Sequence, residues 1–314
     1  MDQQGAARGN PGIRVAVFGN SNMEVVIPAG QFPIPYEPSR TLPPGAIHVG
    51  VAGTAYNVGI GLWRLGHQVD LCVTQGNDPA AAFVTAAQPR DPRLRIIPLP
   101  VPRQPVTAVL TGDHGRRLIF NEAREGTWQH DPARAVEIAR GCDLVVLPIG
   151  SANALLAAHA GDFGAPLACD VHAISALHGD HEPYCEAAQI LFMSDERLPV
   201  PADQWLEKVM DRWPCRIAIV GQGARGATMA VRGDSGLHHA PAVDAGPVAS
   251  TLGAGDALCA AFLDGHARGL PPRSALARAA VYAAAKIRHA GGAQGLLSAS
   301  ELDQLCAAAP PART

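Results

Sequence analysis

The segment richest in chemistry is Ser250-Thr251-Leu252-Gly253-Ala254-Gly255-Asp256, which runs into the apolar stretch Ala257-Leu258-Cys259-Ala260-Ala261-Phe262-Leu263. Three small residues lead directly into a helical pattern. The backbone N–H groups of Gly253, Ala254 and Gly255 are then the unpaired donors of a helix N-terminus, and with the helix dipole they make an anion site. Small side chains let a phosphate come close, and Asp256 sets a carboxylate beside the hole. That pairing suits phosphoryl transfer to an alcohol: the carboxylate takes the hydroxyl proton while the dipole holds the migrating charge. The same residues equally describe an ordinary helix start, with glycine for turning and aspartate balancing the dipole.

A second glycine-rich segment, Gly221-Gln222-Gly223-Ala224-Arg225-Gly226, follows a strand pattern and fits the GxGxxG dinucleotide fingerprint. The fingerprint requires a helix next. Here residues 227–232, the turn Gly233-Asp234-Ser235-Gly236 and a further extended run read instead as a β-hairpin. Asp170-Val171-His172 closes a strand at the carboxyl edge, where open α/β sheets bind ligands. His172 has no partner at metal-ligand spacing and reads as a loop histidine. The two lysines, Lys208 and Lys286, do not follow a GxxxxG, so a Walker-type phosphate loop is absent.

Elements must bring these segments together. Residues 13–18 form a strand pattern ending at Gly19, 54–66 a helix with Val58, Leu62 and Leu65 at helical spacing, and 69–73 the next strand. Val106–Thr111 and Arg117–Asn121 flank Gly112-Asp113-His114-Gly115 as a hairpin. From there short apolar runs at 144–147, 167–170, 190–193 and 217–220 alternate with helix-compatible segments at 132–140, 151–160, 176–188 and 202–212. Two long helical patterns, 254–268 and 273–289, follow, and residues 307–314 read as a frayed tail. Buried strands alternating with helices imply an α/β fold: a doubly wound, mainly parallel sheet flanked by helices. The chain, 1–314, reads as one domain with a small β-rich lid built from two segments, about 24–47 and 94–122. Such a lid closes over an acceptor and keeps water out.

Composition narrows the classes. With 314 residues, 47% hydrophobic and 17% charged, the chain builds a large core, and wholesale disorder is excluded. A net charge of −3 excludes a strongly basic nucleic-acid footprint. No apolar run reaches the roughly 18 residues of a membrane helix, and residues 1–12 carry no signal-type apolar stretch. Seven cysteines are scattered without a CxxC pair, which reads as reduced thiols and a cytoplasmic protein.

The motifs resemble those of the PfkB carbohydrate kinase (ribokinase-like) family. Thr251-x-Gly-Ala-Gly-Asp256 is similar to its late signature. Ala52-Gly53-Thr54-Ala55-Tyr56-Asn57, running on to Leu65-Gly66, is similar to its early one, and Phe18 to Glu24 looks like its first strand and substrate-contacting turn. The resemblance covers nearly the whole chain and implies an ATP-dependent kinase that phosphorylates a hydroxymethyl group of a sugar or sugar-like compound. It implies Asp256 as general base and Gly253, Ala254 and Gly255 as the anion hole. Asn22, Glu24, Gly53 and Asn57 would face the sugar; in chemical terms Asn57 offers donors and an acceptor to hydroxyls, or caps a turn. Gly223 and Gly226 match a turn that lets the backbone approach ATP, and Thr251 and Ser194 lie on the same nucleotide side.

Departures from the family pattern qualify this. Ser250 stands where an aspartate often helps build a monovalent-cation loop, so cation dependence is left open. The Asn-x-x-Glu motif linked to Mg2+ aligns with Ser194-Asp195-Glu196-Arg197, leaving Asp195, Glu196 and Asp170 as the metal-side carboxylates. Glu24 replaces the usual substrate aspartate, and Ala52 the first glycine of a pair. Gly291-Gly292-Ala293 resembles a nucleotide-side loop, or is a helix cap. Related flaps pair between subunits, which implies a homodimer through the lid. The alternatives are a nucleoside kinase of the same fold, for which Phe32, Tyr36 or Tyr56 would stack on a base, and a catalytically idle sugar-binding protein.

Overall fold

Strand β1 (Arg14–Gly19) sends Val15 and Val17 to one side and Ala16 and Phe18 to the other, and all four are fully buried. A strand buried on both faces needs helices on both faces. The structure, a computed structural model, describes residues 12–122, 128–244 and 246–308 and supplies them. On one face Val15 and Val17 join Leu71, Phe192 and Ile219 under α1 (Thr54–Arg64), α7 (Ala254–Ala267) and α8 (Pro272–Lys286). On the other, Ala16 and Phe18 join Leu191 and Val220 against α3 (Pro132–Ala139), α4 (Ala154–Ala158), α5 (Glu182–Ala187) and α6 (Ala202–Arg212).

The large sheet has nine strands. They are β1, β4 (Gln68–Gln75), β5 (Leu94–Pro100), β8 (Leu144–Val146), β9 (Leu167–Asp170), β10 (Ile190–Ser194), β11 (Ile217–Gly221), β12 (Ala227–Val231) and β13 (His238–Ala240), in the order 13-12-11-10-9-8-1-4-5. Strand β1 runs parallel to both β4 and β8, and the parallel array continues through β9 to β11; β12 then turns back antiparallel. The doubly wound expectation therefore holds, and the hairpin after Gly226 is β12, as its sequence implied. The expected helix at 176–188 is confined to α5, and 151–160 is a 3-10 turn followed by α4. Two helices, α2 (Pro79–Ala87) and α9 (Ala299–Ala308), carry weak apolar periodicity and were not foreseen. Residues 307 and 308 belong to α9, so the expected fraying does not begin there, and 309–314 lie outside the described residues.

A separate four-stranded sheet has the order β3-β2-β6-β7, from β2 (Asn22–Gly30), β3 (His48–Ala52), β6 (Val106–Gly112) and β7 (Arg117–Asn121). Its boundaries correct the expected lid. Residues 94–100 pair with β4 at the edge of the large sheet, and 31–47 hold no strand, while 48–52 supplies one. Cross-strand register separates the faces of this sheet. Glu24, Thr107 and Asn121 form one row on the inner face, and Val26 and Val109 the next, packed on Leu252. The outer face carries Val49, Val25, Ala108 and Phe120 in one row and Ile27, Leu110 and Leu118 in another.

Helix α7 is tied down by an ionic hub. Asp264 is fully buried and accepts from His67 Nε2 at 3.2 Å, Arg268 Nε at 2.6 Å and Arg278 Nε at 3.3 Å. Arg278 also reaches Asp303 of α9 at 2.6 Å. Burial alone would raise the Asp264 pKa; the bonds from His67 and Arg268 outweigh it and hold the group ionised. Asp264→Ala strands a buried guanidinium and is expected to cost about 3–5 kcal/mol in urea unfolding. A loss under about 1 kcal/mol would show that the hub does not anchor α7.

Candidate active site

The carboxyl edge of the large sheet gathers the ends of β1, β9, β10 and β11 and the starts of α1 and α7. Gly253 caps α7 with φ +70°, and a Cβ there would collide with Gly292 O, so only glycine fits this left-handed, crowded position. The Ala254 N–H donates to Thr251 O at 3.3 Å. Among the described residues the N–H groups of Gly253, Gly255 and Asp256 have no such partner. The head of α7 thus presents three unpaired N–H groups, and the Ala254 N–H is used within the turn. Space above Gly255 is open, with no atom within 4 Å of where a Cβ would stand.

Asp256 sits in the first turn of α7, 9% exposed, and its Oδ2 accepts from Asn57 Nδ2 at 2.6 Å. Asn57 is buried in α1, whose cap Gly53 has φ +115°; a Cβ on Gly53 would strike Asn20 O at 2.5 Å and Asn22 Oδ1 at 2.7 Å. Asn57 Oδ1 is buried without a hydrogen-bond partner among the described residues, an acceptor left for a hydroxyl. Glu24 Oε1 accepts from Gly292 N at 2.7 Å. A Cβ on Gly292 would meet Asn57 Nδ2 at 2.9 Å and Glu24 Oε2 at 3.3 Å, so Glu24, Asn57 and Gly253 converge on that one glycine. Gly292 therefore lies between Glu24, Asn57 and the head of α7. Asn22 donates to Thr107 Oγ1 at 2.9 Å, which donates to Asn121 Oδ1 at 3.0 Å, forming a polar relay across the small sheet.

Burial pushes the Asp256 pKa up to about 6, opposed by the Asn57 bond and by His172 and Lys286 and reinforced by Asp170. Burial likewise raises Glu24, against the Gly292 N–H and the Lys286 charge. Lys286, fully buried at the end of α8, is pushed down to about 8 by desolvation, with Glu24 and Asp256 acting the other way. It donates to His289 O at 3.4 Å. Lys286 interrupts an alanine-rich stretch and follows no phosphate-loop glycines, and its apolar neighbours give no sign of the two carboxylates, Glu24 and Asp256, whose charges act on it. His172, read as a loop residue, has φ +53° and lies 3.4 Å from Thr54 Oγ1 and 3.6 Å from Asp170 Oδ1.

The nucleotide-side residues are brought to the same edge. Ser194 caps the turn 195–197 through its hydroxyl, and Gly223 and Gly226 turn the chain between β11 and β12 with φ +55° and +93°. A Cβ on Gly226 would collide with Ala240 O, so that glycine also serves strand packing. Asp195 pairs with Arg225 and Glu196 with Arg117, while Asp170 Oδ1 accepts from His172 N at 2.9 Å. Among the described residues no three His, Cys, Asp or Glu side chains gather as a metal cage. These oxygens fit a cation held chiefly by nucleotide phosphates, as Mg2+ usually is.

A buried carboxylate beside free helix amides, on the carboxyl edge of a doubly wound sheet with a β-sheet cover, defines a phosphotransferase of the ribokinase fold. The model for "pfkB family carbohydrate kinase" matches residues 13–299, and the chain belongs to that family. It is a carbohydrate kinase. The acarbose 7(IV)-phosphotransferase of Actinoplanes sp. is 28% identical over 274 residues, covering 85% of this chain and 89% of that protein. A microbiome-derived acarbose kinase superimposes with a TM-score of 0.82 at 21% identity, covering 94% and 99% of the two chains. A nucleoside kinase of Burkholderia thailandensis, in complex with inosine, gives 0.67 at 17% identity, covering 96% and 99%.

A reaction that uses Asp256 as base is expected to slow as pH drops through about 6, where this carboxylate takes up a proton. The titratable groups that act on it are Asp170 at the end of β9, His172 just after it, and Lys286 of α8. Lys286→Met removes a charge that lowers the Asp256 pKa, so the acid limb of the kcat/KM profile should move to higher pH. A limb that stays put, or lies near pH 4, contradicts the burial argument.

Proposed function

We propose that the protein transfers the γ-phosphoryl group of ATP to a hydroxymethyl group of a sugar-like acceptor, with Asp256 as general base. The observation that carries this reading is the 2.6 Å bond from Asn57 to Asp256, which aims a buried carboxylate beside the free amides of Gly253, Gly255 and Asp256 itself. At neutral pH the carboxylate is ionised and accepts the hydroxyl proton as the alcohol oxygen attacks phosphorus in line. The three amides and the α7 dipole hold the charge on the migrating group. Gly223 and Gly226 let the nucleotide pass close to the backbone, with Thr251 and Ser194 flanking it. Asp170, Asp195 and Glu196 would hold Mg2+ together with the phosphates, and the ion would neutralise their charge.

Acceptor class follows from the inner wall. Asn22, Glu24, Asn57 and Thr107 present hydrogen-bonding groups, which suits a molecule rich in hydroxyls. A base needs a ring face that is both free and part of an enclosing wall, and the three aromatic candidates do not combine the two. Tyr56 is buried in α1, Phe32 is wedged against Gly112 beneath the Arg116 guanidinium, and Tyr36 is 91% exposed. This favours a sugar over a nucleoside. Acarbose, the substrate named for the Actinoplanes relative, is the first acceptor to try. An idle binding protein has no use for a base whose burial destabilises its own charge.

The expected result is Mg2+- and ATP-dependent ADP release with a member of a panel of acarbose, pentoses, hexoses and nucleosides, and a loss of roughly 10²-fold or more in Asp256→Asn. Because folding raises the Asp256 pKa, the ionised group weakens the fold above that pKa, so Asp256→Asn should melt no lower than the wild type. Turnover that survives the substitution removes Asp256 from its role, and no turnover with any acceptor favours the idle protein.

The outer face of the small sheet supports a homodimer through the lid in a cytoplasmic enzyme. Val49, Leu118 and Phe120 are 42%, 46% and 53% exposed on it, and β7 is an edge strand. Sedimentation should give a dimer, and Phe120→Glu a monomer. A wild-type monomer at micromolar concentration rejects the pairing.

A further inference from the structure

Arg117 opens β7 and, by register with Thr111, lies on the inner face of the small sheet. Its Nη1 donates to Thr251 Oγ1 at 2.7 Å and its Nη2 to Glu196 Oε1 at 2.6 Å. Thr251 lies two residues before the cap of α7, and Glu196 lies in the turn that follows β10. One guanidinium thus bridges the head of α7 and the acidic turn. Those are the two elements between which nucleotide phosphates must run when Gly253, Gly255 and Asp256 hold the transferring group. Gly115, at the hairpin tip, is packed there too, its carbonyl accepting from Thr251 Oγ1 at 3.4 Å.

The partners suit an exchange. Glu196 is 56% exposed and Arg117 30%, and an ion pair that wet is worth about 0–1 kcal/mol. A guanidinium fork binds a phosphoryl group with the same two-pronged geometry it uses for a carboxylate. A nucleotide brings several negative charges to the place where Glu196 offers one. The charge of the migrating group spreads over three equatorial oxygens, and the α7 amides approach from one side only. The sheet that carries Arg117 also carries Asn22 and Glu24, joined through the Glu24, Thr107 and Asn121 row. Acceptor capture and guanidinium placement are therefore movements of one rigid piece.

We propose that Arg117 is a catalytic residue delivered by the lid, its guanidinium leaving Glu196 for the transferring phosphoryl group while Thr251 keeps the other arm of the fork in place. This rests on reading the α7 head as the phosphoryl site. No bond to carbon or phosphorus is made by Arg117; it supplies two N–H donors and a positive charge.

The test compares wild type, Arg117→Ala and Arg117→Lys. Turnover is measured with the best acceptor of the panel, and titration with Mg2+-ADP, with and without aluminium fluoride, needs no acceptor at all. Arg117→Ala should lose on the order of 10²-fold in kcat with acceptor KM changed less than about threefold. It should bind ADP as the wild type does but lose the tighter binding that aluminium fluoride confers. Lysine, with the charge but without the fork, should recover part of the rate. Melting temperature should stay within about 2 °C, since the pair is exposed. Unchanged kcat, or a loss confined to acceptor KM, overturns the proposal and leaves Arg117 a latch. If aluminium fluoride tightens ADP binding equally in wild type and Arg117→Ala, Arg117 alone is excluded. If it does not tighten binding in the wild type, the reading of the α7 head fails with it.

Discussion

The whole site depends on keeping one carboxylate out of water beside three backbone amides. Among the described residues Asp256 has a single side-chain hydrogen-bond partner, Asn57 at 2.6 Å, and it is otherwise enclosed. Enclosure raises its affinity for a proton, and the Asn57 bond and the Lys286 charge restrain that rise, leaving a pKa of about 6. A carboxylate so placed is ionised at neutral pH yet basic enough to take a proton from an alcohol near phosphorus. Had it been fully solvated it would be a weaker base; without the Asn57 bond and the Lys286 charge its pKa would rise further.

Holding that carboxylate requires distant parts of the fold. The Asp264 hub ties α7 to the α1–β4 connection and to α8, two turns down the same helix from Asp256. Gly292 closes the other end. Its amide binds Glu24, its carbonyl lies where a Gly253 side chain would be, and its bare Cα lets Asn57 approach. Helix α7 is thus held between an ion cluster and a residue that must have no side chain. The small sheet adds a two-sided cover, with hydrogen-bonding rows inward and aliphatic and aromatic rows outward.

Around the turn 195–197, Arg225 meets Asp195 and Arg117 meets Glu196, so the acidic side chains nearest the nucleotide path are already matched by cations. Lys286 is a buried cation on whose charge two buried carboxylates, Glu24 and Asp256, both act.

Much of this was legible in the residues. The alternation of short apolar runs with helical patterns prescribed the doubly wound sheet, because a strand buried on both faces needs helices on both. The run from Thr251 to Asp256 marked a helix head with an acid beside it, and the hairpin after Gly226 could be told from a dinucleotide helix, since both signals are local. Less was legible where partners lie far apart in the chain. Residues 94–100 looked like part of the cover but pair with β4, since strand pairing is decided between segments. Lys286 sits in an alanine-rich helix with nothing nearby to announce Glu24 and Asp256, and Arg117 is one of many arginines until the hairpin is laid against Thr251 and Glu196. Local sequence determined which backbone segments form helices, strands and turns, because those bonds close within a few residues; only the tertiary structure decided which charges meet, because that meeting depends on how separate elements pack.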